Sequence, residues 1–287
     1  ADDRNVGTAK LIRLSGATYS GADVGNYAIL DQASTTASIT PKSLTISGIT
    51  ASNRIYDATT AATVSLTGLN RAGMVYGDDV TVSATGVFAD KNVAAGKTVT
   101  LIETYGGADR GNYTIVSQGT TRADITARSL SVSGILARDK VYDGNSIATV
   151  DISGLVLTGL VAGDDVQVAS TGSFRKADDS ANDANVARDS SGNVTAKTVS
   201  LSNVFSGNDY ANYSLSSEQT SATARITPKA ITLAAVSVDD KVYDGGVSGT
   251  LESFSFSGLI NSETLDLTAA GIAFSDKNVG DGKAVSI

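Results

Sequence analysis

Apolar and polar residues alternate along this chain in short runs. "SLTISGI" (43–49) places Leu44 and Ile46 on one face, and "ATVSLTGL" (62–69) does the same with Val64 and Leu66. "DVTVSATGVF" (79–88) aligns Val80, Val82, Ala84 and Phe88, with Gly86 between them. "KTVTL" pairs Val99 with Leu101, "NYTIV" pairs Tyr113 with Ile115, and "ADI" pairs Ala123 with Ile125. Successive side chains of a strand point to opposite faces, so period two over about five residues marks a half-buried strand. No stretch holds a helical period of useful length. The pattern predicts an all-β chain, a tandem array of small antiparallel β-sandwich (Ig-like) domains. A β-grasp-like unit is the alternative, and it needs a helix that the pattern does not supply.

The runs recur at a fixed spacing, the signature of a repeat architecture. Tyr27 to Tyr113, Ile39 to Ile125, Tyr56 to Tyr142 and Gly77 to Gly163 are each 86 residues apart. The next step is 101 residues, for both Tyr142 to Tyr243 and Ile125 to Ile226. Most of the excess lies in "RKADDSANDANVARDSSGNVTA" (175–196), because Phe88 to Lys97 spans 9 residues and Phe174 to Lys197 spans 23. Cut at the recurring "ITPK/ITAR" landmark, the chain reads as a partial repeat (1–39), two complete repeats (40–125 and 126–226, the latter with the acidic insertion) and a second partial repeat (227–287). The sequence starts and stops at the same landmark of the repeat, with Ile287 aligned on Leu101, so it is expected to be an excerpt of a longer array. "RADITARSLSVSGI" (122–135) runs the last strand of one repeat into the first of the next almost without a linker. Pro41 and Pro228 stiffen two such junctions, which favours a rod over loosely strung beads.

Composition narrows the chemistry. The 287 residues contain no Cys and no His, which excludes disulfides, thiol nucleophiles, imidazole acid–base catalysis and most zinc or haem sites. Small and β-branched residues dominate, as suits many short strands with modest cores. The net charge of −8 repels phosphate backbones and anionic lipid, so neither nucleic acid nor a membrane is an expected partner. No apolar run approaches the ~18 residues of a transmembrane helix.

The candidate functional residues lie in the recurring turns. Tyr56-Asp57, Tyr142-Asp143 and Tyr243-Asp244 open a turn in "RIYDATT", "KVYDGNS" and "KVYDGGV". Asp bonds local backbone there and Gly supplies positive φ, although Ala58 stands for Gly in the first copy and puts that φ in doubt. The tyrosine is expected to lay its ring on the core edge and its hydroxyl on a backbone acceptor. "GDDV" sets Asp78 beside Asp79, and Asp164 beside Asp165, just before a strand. Neighbours there face opposite ways, so they do not make an acid–base pair; a solvated turn is expected, with calcium as the alternative. Asp178, Asp179 and Asp183 of the insertion are further calcium candidates, on what reads as a mobile surface loop without the EF-hand pattern. "DRNV" (3–6) and "DKNV" (90–93, 276–279) read as structural turns.

Taken together, "KVYDGNS", "GDDV", "FADKNVAAGKTV", "GNYTI" and "ADITARSL" resemble the YDG-motif (MBG-type) repeats of large filamentous-haemagglutinin-like bacterial surface adhesins. The resemblance covers nearly the whole chain. It implies export by two-partner secretion, a place on the Gram-negative cell surface, and a stalk or spacer role in cell–cell, surface or biofilm-matrix attachment. Polysaccharide or cell-surface ligands would then be held by other parts of the full-length protein. The alternative is that each repeat weakly binds a glycan through its tyrosines and repetition supplies avidity. No cofactor is expected apart from the candidate calcium, and no enzymatic activity. The last repeat departs from the pattern with "NSETLDL" (261–267) where the others have "GDD".

Overall fold

The computed structural model describes residues 3–268 and 271–286. The outermost residues of both partial repeats, 1–2 and 287, lie outside the described residues, as do 269–270. The leading partial repeat is a hairpin of β1 (Gly7–Arg13) and β2 (Ser34–Ile39). The first complete repeat holds β3 (Lys42–Ser47), β4 (Thr50–Ala51), β5 (Arg54–Ile55), β6 (Ala61–Ala62), β7 (Val64–Ser65), β8 (Asn70–Ala72), β9 (Thr81–Phe88), β10 (Ala94–Gly106), β11 (Tyr113–Val116) and β12 (Thr120–Thr126). The second repeats the plan with β13 (Arg128–Ser133), β14 (Leu136–Ala137), β15 (Lys140–Val141), β16 (Ile147–Ala148), β17 (Val150–Asp151), β18 (Val156–Thr158), β19 (Gln167–Phe174), β20 (Lys197–Ser206), β21 (Tyr213–Glu218), β22 (Ser221–Ala224) and β23 (Ile226–Thr227). The trailing partial repeat adds β24 (Thr232–Val238), β25 (Leu251–Ser257), β26 (Ala273–Phe274) and β27 (Val285–Ser286). Among the described residues there is no α-helix, so nothing supplies the helix that a β-grasp unit needs.

In the first complete repeat, a five-stranded sheet runs β5-β12-β10-β9-β6 and a three-stranded sheet runs β11-β3-β8. Long antiparallel pairings dominate, such as β9 with β10 from Phe88↔Val99 to Thr81↔Gly106. Two pairs, β3 with β11 and β5 with β12, are parallel, which periodicity cannot signal. They close the repeat by joining its start to its end. A single residue, Ala127, separates β12 from β13, as the continuous "ADITARSL" run suggests.

The alternating residues form the core. Leu44, Ile46, Phe88, Val99, Leu101, Ala123 and Ile125 are buried, as are their counterparts Leu130, Val132, Phe174, Val199, Leu201, Ala224 and Ile226. In the second repeat Val132, Ile135, Phe174, Val199 and Ile226 belong to one cluster drawn from several strands. Glycine sits mid-strand at 86 and 172 because the strands close tightly there. A methyl group on Gly172 would meet Val199 Cγ1 at 2.8 Å and Val150 Cγ2 at 2.9 Å.

The chain divides into two compact units. One comprises Ala1–Leu130, Gly159–Val166 and Gly207–Ser214; the other comprises Ser131–Thr158, Gln167–Ser206 and Leu215–Ile287. The division cuts through the second repeat, whose "GDD" and "ANY" turns fall in the first unit. The reason lies in the contacts those turns make.

Candidate functional site: the seam between repeats

Each YDG turn is clamped by the cation three residues before its aspartate. Asp57 accepts the Thr59 N–H at 2.9 Å, Asp143 the Asn145 N–H at 3.1 Å and Asp244 the Gly246 N–H at 2.9 Å. Arg54, Lys140 and Lys241 pair with these aspartates at 3.0, 2.6 and 2.9 Å. The same cations donate to carbonyls across the turn, such as Ala61, Ile147 and Ser248. They also lie 5.1, 5.8 and 5.8 Å from the ring centroids of Phe88, Phe174 and Phe274. Lys140, with the Asn145 N–H, holds the Asp143 carboxyl below its ordinary range. Ala58 does keep positive φ, at 63°, against 76° for Gly144 and 79° for Gly245. The clamp imposes the turn even where the residue resists it.

The "GDD" turns join distant parts of a repeat. Asp78 accepts the Tyr113 hydroxyl at 2.5 Å, and Asp164 accepts the Tyr213 hydroxyl at 2.6 Å. Those hydroxyls in turn accept the N–H of Val75 and of Val161. Burial, and then Asp164, push the Tyr213 hydroxyl up to about 12. Asp79 and Asp165 cap the N–H groups of Ala108 and Asn208, while Asp109 and Asp209 return the bond to the N–H of Asp79 and Asp165.

The "DRNV" and "DKNV" turns carry the contacts from one repeat to the next. Asp90 binds the Asn92 N–H and the Lys97 ammonium, which fixes the turn. Lys91 is thereby presented to the second repeat, where it pairs with Asp164 at 3.2 Å and Asp209 at 2.6 Å. Asp209, Tyr56 and Asp164 together raise the Lys91 pKa, and Lys91 holds Asp209 low. The Val93 N–H donates to Asn212 Oδ1 at 2.9 Å, and Asn212 Nδ2 donates to Asn92 Oδ1 at 3.2 Å. The preceding junction has the same set. Arg4 pairs with Asp78 at 3.1 Å and Asp109 at 2.9 Å, Val6 N–H donates to Asn112, and Asn112 donates to Asn5.

The YDG tyrosine also belongs to this seam. Tyr56 is fully buried, with its ring edge-on to Tyr213 at 5.6 Å between centroids. Its hydroxyl lies beside Asp164 and Lys91 without a hydrogen bond of good geometry, rather than on a backbone acceptor. Tyr142 donates to Glu263, again a side chain of the following repeat. Glu263 sits in the last "GDD" position: its N–H bonds Ile260 O as that of Asp164 bonds Val161 O. "NSETLDL" therefore retains the acid of the turn. Tyr243 is exposed. Tyr56, Tyr113 and Tyr213 are buried and offer no ring face for stacking on a sugar, whereas Tyr27, the counterpart of Tyr113, is exposed.

The carboxylates considered for calcium are engaged otherwise. Among the described residues no three acidic side chains converge as a metal site. Asp178 turns back on Ser180, Asp179 pairs with Arg175 at 2.8 Å, and Asp183 pairs with the buried Lys197 at 2.5 Å. Asp183 also accepts the Asn185 N–H, so Asp183–Val186 rebuilds the "DKNV" turn inside the insertion, with Ala184 in place of the cation. Flanking residues form two small closed turns through the Arg175↔Asn182 and Arg188↔Val194 bridges.

Sequence reasoning flagged the tyrosines, the "GDD" acids and the "DKNV" turn, but not the partners Asp109, Asp209, Asn112 and Asn212. Their signal was recurrence within "GADRGNY" and "GNDYANY", which served only as a landmark. It also missed Gln118 and Gln219, whose amides bond both the N–H and the C=O of Ile49 and Ile135.

No curated protein matches the chain in sequence. The YDG domain family matches residues 40–122, 126–222 and 227–287. With most of its length matched and the clamped Tyr-Asp turn built alike at all three places, the chain belongs to the YDG domain family.

Proposed function

We propose that these repeats are a structural stalk of an extracellular bacterial adhesin, exported by two-partner secretion and displayed at the cell surface. They act as a spacer and catalyse no reaction. The polysaccharide or cell-surface ligand is gripped elsewhere in the full-length protein. The observation that supports this reading is the seam: the same cation-to-aspartate and Asn-to-Asn contacts recur at successive junctions. A passive element is served by a joint repeated from step to step, and here the most recurrent residues are spent on joints and turns. The burial of Tyr56, Tyr113 and Tyr213 disfavours glycan stacking at those positions.

Small-angle scattering on the intact chain, first in calcium and then in chelator, tests this. An extended, monomeric particle with the same profile in both is expected. A compact particle would defeat the spacer reading, and an extended one that softens in chelator would mean that calcium ligands, not the seam contacts, stiffen the stalk.

A further inference from the structure

We propose that each complete repeat is a tension-bearing clamp, whose first and last segments lock side by side and are loaded in shear when the chain is pulled. In the first complete repeat, β3 to β5 (42–55) and β11 to β12 (113–126) run in the same direction and keep one register. Lys42 pairs with Tyr113 at one end, and Ile55 pairs with Thr126 at the other. The partner lies 71 residues further on in both cases. Side chains bridge the gap between the two short ladders. The Gln118 amide binds the Ile49 N–H at 2.8 Å and its C=O at 2.7 Å, and Asn53 accepts the Asp124 N–H at 2.7 Å. The Tyr56 N–H donates to Thr126 O at 2.9 Å, so the YDG tyrosine supplies the last rung. The second repeat rebuilds these rungs. Gln219 binds both backbone groups of Ile135, Asp139 accepts the Arg225 N–H, and the Tyr142 N–H donates to Thr227 O. There too the pairing beside the YDG turn, Lys140 with Ile226, is parallel.

Strand direction decides what this arrangement does under load. The chain enters the first clamp at Pro41, beside the Lys42–Tyr113 end, and leaves at Ala127, beside the Ile55–Thr126 end. Entry and exit therefore lie at opposite ends of two parallel segments. Tension draws the first segment back toward its start and the last one onward past its end, so the rungs between them share the load. An antiparallel hairpin pulled from its open end gives way one rung at a time. The load passes from β12 to β13 through Ala127 alone, so β6 to β10 lie off its path. The insertion 175–196 also lies off the path of the second clamp, and its added length does not interrupt the rungs. The use of the clamp at a cell surface rests on the stalk reading; the clamp itself rests on the register.

The test is single-molecule force spectroscopy on the 287-residue chain, whose lack of Cys lets two introduced thiols carry the handles. Thr40→Cys with Ala127→Cys loads the first clamp along its segments. Tyr76→Cys with Gly111→Cys, at a fully exposed side chain and at a position open to solvent, peels β9 from β10 at their open end. At equal loading rate, a severalfold higher rupture force is expected for the first pair of handles. Gln118→Ala removes the middle rung. It should raise the unfolding rate at fixed force about tenfold for the first pair and much less for the second. Asn53→Ala makes the same comparison independently toward the far end. Equal rupture forces in the two directions, or an equal response of both directions to both variants, would overturn the proposal. A weak clamp would leave the extended particle of the stalk reading intact, whereas a compact particle in scattering would defeat that reading and leave the rupture forces as they are.

Discussion

Asn212→Ala isolates the seam between the two complete repeats. Asn212 is 3% exposed, and its amide makes two bonds across the junction, from Val93 N–H and to Asn92 Oδ1. A typical bond contributes a net ~0.5–1.5 kcal/mol, so the pair contributes about 1–3 kcal/mol to closing the joint. Alanine also leaves the Val93 N–H without its acceptor, which places the loss toward the upper end. At 1.4 kcal/mol per tenfold, the Val93 amide should exchange with solvent about 5- to 140-fold faster. Native-state hydrogen exchange reads this at one residue, which suits a chain of two compact units better than a single global melting curve. Asn112→Ala is the matched control, because it removes the acceptor of Val6 N–H at the preceding junction. It should accelerate Val6 and leave Val93 unchanged. Slow Val93 exchange in Asn212→Ala, or equal acceleration at both amides in either variant, would refute the claim that the seam is built joint by joint.

Other consequences are equally direct. Ala58→Gly relieves a left-handed alanine and should stabilise its turn by about 0.5–1 kcal/mol after the entropy cost of glycine; slower exchange of the Thr59 amide reports it. Gly144→Ala puts a Cβ on left-handed backbone at φ 76° and should cost about 1 kcal/mol, the Asn261 side chain also having to move aside; an unchanged melting temperature would contradict this. Tyr56→Phe should be nearly neutral, since the lost hydroxyl is buried without a well-formed bond, whereas Tyr213→Phe takes one donor from Asp164, which keeps Lys91, leaves Val161 N–H without its acceptor and should cost about 1–3 kcal/mol in denaturant titrations. Lys97, Lys140 and Lys91 hold Asp90, Asp143 and Asp209 below their unfolded range, so the stability they contribute is complete above that range and lost as pH falls from it through the lowered folded values. Melting temperature should therefore stay level from about pH 8 to about pH 5 and drop below about pH 4; equal values at the two extremes would contradict the assignment.

The alternation of apolar residues determined the strands and the core, because burying one face of a sheet requires period two and nothing distant is needed to see it. Leu44, Ile46, Phe88 and Val99 were legible for that reason, and so was the repeat, since every copy must rebuild the same faces. The clamped turn was half legible. Asp57 and its backbone partner are local, but the φ of Ala58 follows from how Arg54 ties the turn to Ala61 and Phe88. The parallel closure of β3 with β11 was hidden, because periodicity carries no strand direction. The turn at Asp183–Val186 was hidden by the residues inserted on both sides of it. The seam was decided by tertiary structure alone. Arg4 meets Asp109, and Val93 meets Asn212, more than a hundred residues further along the chain. Such bonds need only a charge or an amide at each end, types that abound on any surface. What selects the partners is the pair of rigid turns that aim them at each other.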